Sequence, residues 1–371
     1  MIRFREALHL HRPESPFFAF QPERQRAVRV SPGSSTSDSF SLNSPNAGQR
    51  FLAVIVNYNG GDLLAGCVRS CLDEGIPQAH IVVVDNGSSD GSMEELARQL
   101  SGVRGIANPC NAGFARAVNQ GIRQGLKQTP AEFVLLLNND ARLEPGALAA
   151  FAFGFYRWPN LAIAGGQLHY PGGRLQSAFA PLPSLAEELV PLPLLRLFAP
   201  SRFQRKTSAS EPIAVESVFG ACLSVRAAVL PRLGLLDEDF FFYFEEVEWC
   251  QRARSMGFEV RYLPHAHAEH GGAVTANRFR GPARVEYQRS KLTFFRKTRG
   301  RASYWIVSAY TVLRTLINAL AGGAACVFTL FLNRKLRLKA ATYGYLLFWN
   351  LLLRPAHWGL PGKCPPAVPG P

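Results

Sequence analysis

Four times between positions 51 and 140, a block of apolar residues breaks into amides and carboxylates: "FLAVIVNYN" (51–59), "HIVVVDNGSSDGS" (80–92), "VRGIAN" (103–108) and "EFVLLLNND" (132–140). Between the first two, Leu63, Leu64, Cys67, Val68, Cys71 and Leu72 recur at helical spacing, and further helices are predicted near 93–100 and 112–127. Apolar strands that alternate with amphipathic helices imply an α/β fold, a parallel sheet covered by helices on both faces. Ligands of such sheets bind beyond the carboxyl ends of the strands. Those ends, at 57–59, 85–87, 108–111 and 138–140, are all rich in amides or carboxylates, which suits a polar, hydroxyl-rich ligand.

Further on the pattern changes. The stretch from about 170 to 215 is dense in proline and reads as an irregular excursion or lid. Order is predicted to return with "EPIAVESVFGACLSVRAAVL" and "LLDEDFFFYFEEVEWCQRARSMGFEVRYLPHAHAEHGG". Beyond position 276 a basic helix leads into an apolar one, whose uncharged run 315–332 is near the lower limit of the roughly 20 residues a membrane span needs. Residues 1–49 show no period and are rich in Ser, Pro, Gly and Asn from 31 to 48, the composition of a disordered leader. The expected parts are therefore a leader (1–49), a catalytic domain (50–275) and a membrane-associating helical tail (276–371).

Composition sharpens this picture. With 371 residues, 47% of them hydrophobic, the chain can bury a large core. Its 41 Lys and Arg against 27 Asp and Glu favour polyanions, phosphates or an anionic membrane as partners. Arg289, Lys291, Arg296, Lys297, Arg299 and Arg301 precede the apolar run, Arg314 abuts it, and Arg334, Lys335, Arg337 and Lys339 follow it. That bracketing favours a membrane surface, with the run lying in the interface, re-entering or crossing once; a soluble core helix is the alternative. The basic stretches form no recognisable nucleic-acid-binding module with interleaved aromatics, so nucleic acid is not an expected partner. Seven scattered cysteines without a C-x-x-C pair indicate neither a disulfide framework nor a zinc ribbon, and a reducing compartment is the simpler reading. No apolar core of signal-peptide length precedes Ser31, which argues against secretion.

The candidate chemistry sits at the strand ends and in two later stretches. Asp85 is placed to accept hydrogen bonds from a ribose or base, although Asp-Asn-Gly is also an ordinary turn. The first strand is followed by "NYNGGD" and lacks G-x-G-x-x-G, and no P-loop occurs, which removes dehydrogenase and P-loop readings. Asp140, with Asn138 and Asn139, either holds magnesium or manganese against a diphosphate or closes a turn before a helix with Pro145 near its first position. At the start of a later helix, Glu248 faces Arg252 four residues on, Glu245 lies on the same side, and Glu246 has no cation on its face, which leaves it the least committed carboxylate. His265, His267 and His270 match no familiar zinc spacing. One imidazole completing a site with Asp140 fits better, and His270 has the backbone freedom of Gly271 and Gly272 beside it.

The stretches "VIVNYNGGDLL", "VVVDNGSSDGS", "NAGFARAVNQGI", "LLLNNDARLEPGAL", "GACLSVR" and "LDEDFFFYFEEVEWCQRARSMGFEVRYLPHAHAEHGG", in this order over about 51–274, resemble family 2 glycosyltransferases of the GT-A fold, most closely the bacterial rhamnosyltransferase-like branch. The resemblance implies an inverting, metal-dependent hexosyltransferase that moves a sugar, rhamnose included, from a nucleotide-diphosphate donor to a saccharide or lipid-linked acceptor in cell-envelope polysaccharide synthesis. It puts Asn57 and Asp85 near the nucleoside, within a donor-binding set that also holds Asn59, Asn86, Asn111, Gly113, Asn138, Asn139 and Asp140. Asp140 becomes the remaining acidic end of the D-x-D metal motif and His270 a further ligand to Mn2+ or Mg2+. Glu246, preceded by Glu245, takes the place of the acceptor-side base. The implied location is the cytoplasmic face of the bacterial inner membrane, peripheral or with one C-terminal membrane segment. Two positions depart from the family pattern: Asn138 replaces the first acid of D-x-D, and Glu246 stands where Asp is usual. Those departures motivate a rival reading, a weak or inactive nucleotide-sugar or carbohydrate binder.

Overall fold

A computed structural model describes residues 46–199, 209–272 and 279–365. Most of the predicted leader lies outside the described residues; at its end Ala47–Arg50 form one 3-10 turn with Ala47 and Gly48 buried. The chain then runs β1 (Phe51–Asn57), α1 (Asp62–Asp73), β2 (Ile81–Asp85), α2 (Ser92–Gln99), β3 (Arg104–Ala107), α3 (Phe114–Gln128) and β4 (Phe133–Asn138). These are the elements that the apolar periodicity predicts. Parallel pairing in the order β3-β2-β1-β4 aligns their carboxyl ends, with Asn57 opposite Asp85 and Val56 opposite Asn138. Close packing of α3 on this layer depends on small residues: a Cβ on Gly121 would lie 2.4 Å from Val54 Cγ1, and one on Gly125 2.5 Å from Leu52 Cδ2.

The second half makes the sheet mixed. After β4 come β5 (Ala141–Leu143), α4 (Ala147–Arg157) and β6 (Leu161–His169). The proline-rich stretch contains β7 (Phe179–Ala180), α5 (Leu185–Leu189), α6 (Leu192–Phe198) and β8 (Ile213–Ala214), followed by β9 (Ser217–Val218). Then follow β10 (Cys222–Arg226), α7 (Leu230–Leu233), α8 (Glu245–Ser255) and β11 (Glu259–His270). The large sheet continues β4-β10-β6-β11-β5: β10 is antiparallel to both neighbours, β6 and β11 are parallel, and β5 is antiparallel to β11. One core runs through both halves, with Phe51, Phe133, Phe151, Phe155, Trp249 and Tyr262 buried in it.

Three expectations change here. Asp140 is not followed directly by a helix. It leads into β5, and Pro145 precedes the left-handed N-cap Gly146 (φ 87°), so it is not at the first helical position. The histidine stretch is strand: His270 ends β11 in register with Ala141, which removes the backbone freedom expected from Gly271 and Gly272. Finally, Cys110 and Cys364 form a disulfide, because the tail folds back across the strand ends.

That tail is α9 (Arg280–Thr298), α10 (Gly300–Phe328) and α11 (Arg334–Leu351). The uncharged run 315–332 is not one straight span. The helix starts earlier, at Gly300, and ends at Phe328, and Leu330 (φ 46°) and Phe331 (φ 58°) turn the chain back into α11. By length and composition α10 is long and apolar enough to cross a membrane. Much apolar surface at this end of the tail is exposed, with Phe328, Leu330 and Leu332 at the turn and Leu353 beyond α11.

Candidate active site

At the carboxyl ends of β1, β2 and β4 the predicted polar residues form one network. Asn57, fully buried, offers its amide Nδ2 to Asp85 Oδ1 at 2.9 Å, Ser88 Oγ at 3.1 Å and Ser92 Oγ at 2.9 Å, and its Oδ1 accepts from Asn139 Nδ2 at 2.9 Å. Asp85 also accepts from the Ser88 backbone N–H at 2.9 Å. The "SSDGS" turn after β2 is thereby tied to β1, and Asn59 (φ 54°) accepts from Ser89 N–H at 2.9 Å. Asn86 donates to Gly113 O at 3.2 Å and accepts from Asn108 at 3.0 Å.

This network floors a cavity of about 240 Å³. Asn86, Asn111, Gly113, Asn138, Asn139, Asp140 and His270 line it, with Phe241, Phe242 and Tyr243 on one wall and Tyr58 and Leu360 at the edge. Asn57 and Asp85 are therefore placed beneath the cavity rather than on its surface, where they hold the residues that face it. At Gly113 (φ 89°) an added Cβ would stand 2.7 Å from Phe241 O.

Asp140 and His270 face each other across the junction of β4, β5 and β11, with Oδ1 and Nε2 3.4 Å apart. Gln176 fixes the imidazole. Its Nε2 donates to His270 O at 2.6 Å, which turns its Oε1 toward His270 Nδ1 at 3.0 Å. Only an N–H can satisfy that oxygen, so Nδ1 carries a proton and the ring is turned with Nε2 toward Asp140. One carboxylate oxygen and one oriented imidazole nitrogen on a polar cavity suit a hard divalent cation that shares the remaining positions with phosphate oxygens. Gln176 lies in the proline-rich excursion and carries no sequence signal; only the fold brings it to the site. A second group able to hold an ion among the described residues is Glu144, His169 and His267. His267 points to the opposite face of β11 from His270 by strand alternation, and none of the three lines the cavity.

Glu245 and Glu246 open α8 immediately behind the aromatic wall, and neither lines the cavity. Tyr243 (φ 71°) and Phe244 (φ 70°) precede them, two large residues in the left-handed region, which costs about 1–3 kcal/mol each. Glu245 is buried with Oε2 unpartnered; burial first, and then the Glu246 charge, push its carboxyl well above the usual range. Glu246 is half-buried, and desolvation raises it too, opposed by the backbone N–H groups of Glu246, Gly220 and Val247. Burial thus pushes both carboxyls toward the neutral form, and each keeps one oxygen without a partner among the described residues. Glu248 pairs with Arg252 at 2.7 Å as its spacing predicts, and Glu245 does not join them. The Glu246 carboxyl carbon lies 3.7 Å from where a Gly220 Cβ would stand, and the next residue, Ala221, accepts from Asn138 N–H at 3.0 Å. Glu246 is therefore adjacent to the strand end that carries Asp140.

Residues 52–230 match the family described as Glycosyl transferase family 2. A Mycobacterium tuberculosis protein named N-acetylglucosaminyl-diphospho-decaprenol L-rhamnosyltransferase is 27% identical over 239 residues, 61% of this chain and 77% of that one. The low-salt glycan biosynthesis hexosyltransferase of Haloferax volcanii is 27% identical over 277 residues, 71% of this chain and 84% of that one. Among solved structures, a mannosyltransferase of Pyrobaculum calidifontis in complex with GDP-Man and Mn2+ aligns with a TM-score of 0.48 at 16% identity, covering 82% of this chain and 88% of that one.

Proposed function

Because the chain belongs to glycosyl transferase family 2, with a GT-A sheet and rhamnosyl- and hexosyltransferase relatives, we propose that it is an inverting, metal-dependent transferase. The donor is a nucleotide-diphosphate sugar, rhamnose by likeness to the mycobacterial relative, and the acceptor a lipid-linked saccharide of the cell envelope. The single observation that carries this reading is the Asp140–His270 pair on a cavity lined by strand-end amides, with a half-buried carboxylate one loop away.

The nucleoside enters over Asn86 and Gly113, on a floor that Asn57 and Asp85 keep rigid. Asp140 and His270 would hold Mn2+ or Mg2+, which would supply charge neutralisation for a departing diphosphate. Asn138 in place of an acid leaves that site one negative charge fewer. Glu246 takes the proton from the acceptor hydroxyl as that oxygen attacks the anomeric carbon in line, and the sugar–phosphate bond breaks on the opposite side. Domain 50–275 performs the transfer, and the tail 276–371 keeps it at the cytoplasmic face of the inner membrane, where a lipid-linked acceptor is presented. A second reading, a nucleotide-sugar binder with little turnover, is favoured by the absence of Glu246 from the cavity wall.

Manganese-dependent release of nucleoside diphosphate across a panel of nucleotide sugars tests both. Glu246→Gln is expected to bind donor normally and lose at least roughly a hundredfold in turnover, within the range of a removed general base. Turnover of the unaltered protein is expected to fall as acid protonates Glu246. Asp140→Ala is expected to lose metal-dependent donor binding. Donor binding without turnover in the unaltered protein establishes the second reading instead, and unchanged turnover in Glu246→Gln removes the base assignment.

A further inference from the structure

A larger cavity, of about 690 Å³, opens among α9, α10 and α11, and Tyr243 lines both it and the strand-end cavity. Six cations surround it: Arg280 and Arg284, with Lys291, from α9, Arg314 from α10, and Lys335 and Lys339 from α11. Among the described residues no carboxylate lines it. Lys291 is neutralised by Glu188 at 2.6 Å, but among the described residues no carboxylate pairs with the other five. Two cations of the same helix that face elsewhere are paired: Arg289 with Glu286 at 2.7 Å, and Lys297 with Asp237 and Asp239 at 2.5 Å. Among the described residues, five cations from three helices thus face one cavity without a carboxylate partner, an arrangement that an anion would relieve.

A polar group points to the same vacancy in the bonding. Thr311 is buried on the cavity wall, and its Oγ1 has no hydrogen-bond partner among the described residues. Leaving such a hydroxyl unbonded is unfavourable unless a ligand supplies the bond. Guanidinium forks, lysine ammonium groups and hydroxyls together match the oxygens of a phosphate or diphosphate.

We propose that this cavity binds the diphosphate of a lipid-linked acceptor and so sets the distance from the anchoring phosphates to the reacting hydroxyl. The inference rests on the transferase reading and names the anchoring site for its acceptor. Tyr243 joins the two cavities, and Glu246 stands three residues beyond it, in the first turn of α8. An acceptor held by its diphosphate among α9, α10 and α11 would present its sugar past Tyr243 toward Glu246, with its prenyl chain free to leave along the exposed apolar side of α10, at Leu316, Ile317 and Leu320.

The test uses the full chain and three kinds of vesicle: phosphatidylcholine alone, phosphatidylcholine with a long-chain polyprenyl diphosphate, and phosphatidylcholine with phosphatidylglycerol at matched surface charge. The unaltered protein is expected to prefer the polyprenyl diphosphate vesicles over the phosphatidylglycerol vesicles by at least roughly tenfold, about 1.4 kcal/mol. Arg284→Gln with Arg314→Gln is expected to abolish that preference, and Lys335→Gln with Lys339→Gln, on a different helix, to reduce it independently. All four are exposed and unpaired among the described residues, so folding should persist, which a melting curve verifies. Equal binding to both anionic vesicles, or a preference that survives both double variants, overturns the proposal. Nucleotide-sugar binding, read in parallel, should be unchanged in these variants; its absence from the unaltered protein would count against the transferase reading and leave the vesicle result to be judged separately.

Discussion

At the scale of single residues, an amide at the end of a buried strand is justified by having donors and an acceptor in one group. Asn57 binds three oxygens from the β2 turn and receives Asn139 from the neighbouring strand, which neither a carboxylate nor an apolar residue could do. Glu245 shows the opposite economy, since it is buried with an unpartnered oxygen. Its carboxyl titrates above the usual range in the folded protein, so the folded state keeps a proton that the unfolded state releases. Stability contributed by this group is thus present at acid pH and declines as pH rises from the ordinary carboxylate range through the raised value. Glu245→Gln is expected to be more favourable to stability at pH 8 than at pH 4, because the amide needs no proton to stay neutral. Denaturant melts at the two pH values measure it; equal effects at both would show that Glu245 does not carry the proton.

Among elements, the joint between α3 and the aromatic wall controls the site. Phe114 N–H donates to Phe241 O at 2.7 Å, and the chain reaches that contact only because Gly113 adopts a left-handed conformation without a Cβ. Gly113→Ala is expected to displace residues 241–244, destabilise the protein by about 1–3 kcal/mol and weaken donor binding. Thermal melting and nucleotide titration check it, and a variant with unaltered affinity would separate the wall from donor recognition. The alternating strands and helices from 51 to 138 are legible in the sequence, because each buried strand and each amphipathic helix writes its own period. The later antiparallel strands are not. Ile213–Ala214 and Ser217–Val218 are two residues each, too short for any period, and Ala141–Leu143 exists as a strand only because β11 passes beside it.

For the whole molecule, the decisive feature is the return of the tail. Tyr58 Oη donates to Pro361 O at 3.1 Å, Asn111 N–H to Gly362 O at 2.7 Å, and Lys363 reaches the buried carboxylate of Glu286. The Cys110–Cys364 bond locks this strap beside the strand-end cavity, where Leu360 forms part of the wall. Cys364→Ser is expected to lose about 2–4 kcal/mol of stability, and reductant to lower the melting temperature of the unaltered protein but not of the variant. A reductant-insensitive melt would mean that the strap is held by its hydrogen bonds and ion pair alone.

The sequence by itself determined the parallel half of the sheet, the family, the polar strand ends and the charge asymmetry of the tail, because all of these are encoded in local periods and short contiguous motifs. Tertiary structure alone decided that Gln176 orients His270, that Glu246 backs onto the loop beside Asn138, that Cys110 meets Cys364, and that the unpaired cations of three helices face one cavity. Each of those depends on residues far apart in the chain whose proximity is set by packing, and no local pattern of hydrophobic and polar positions carries that information.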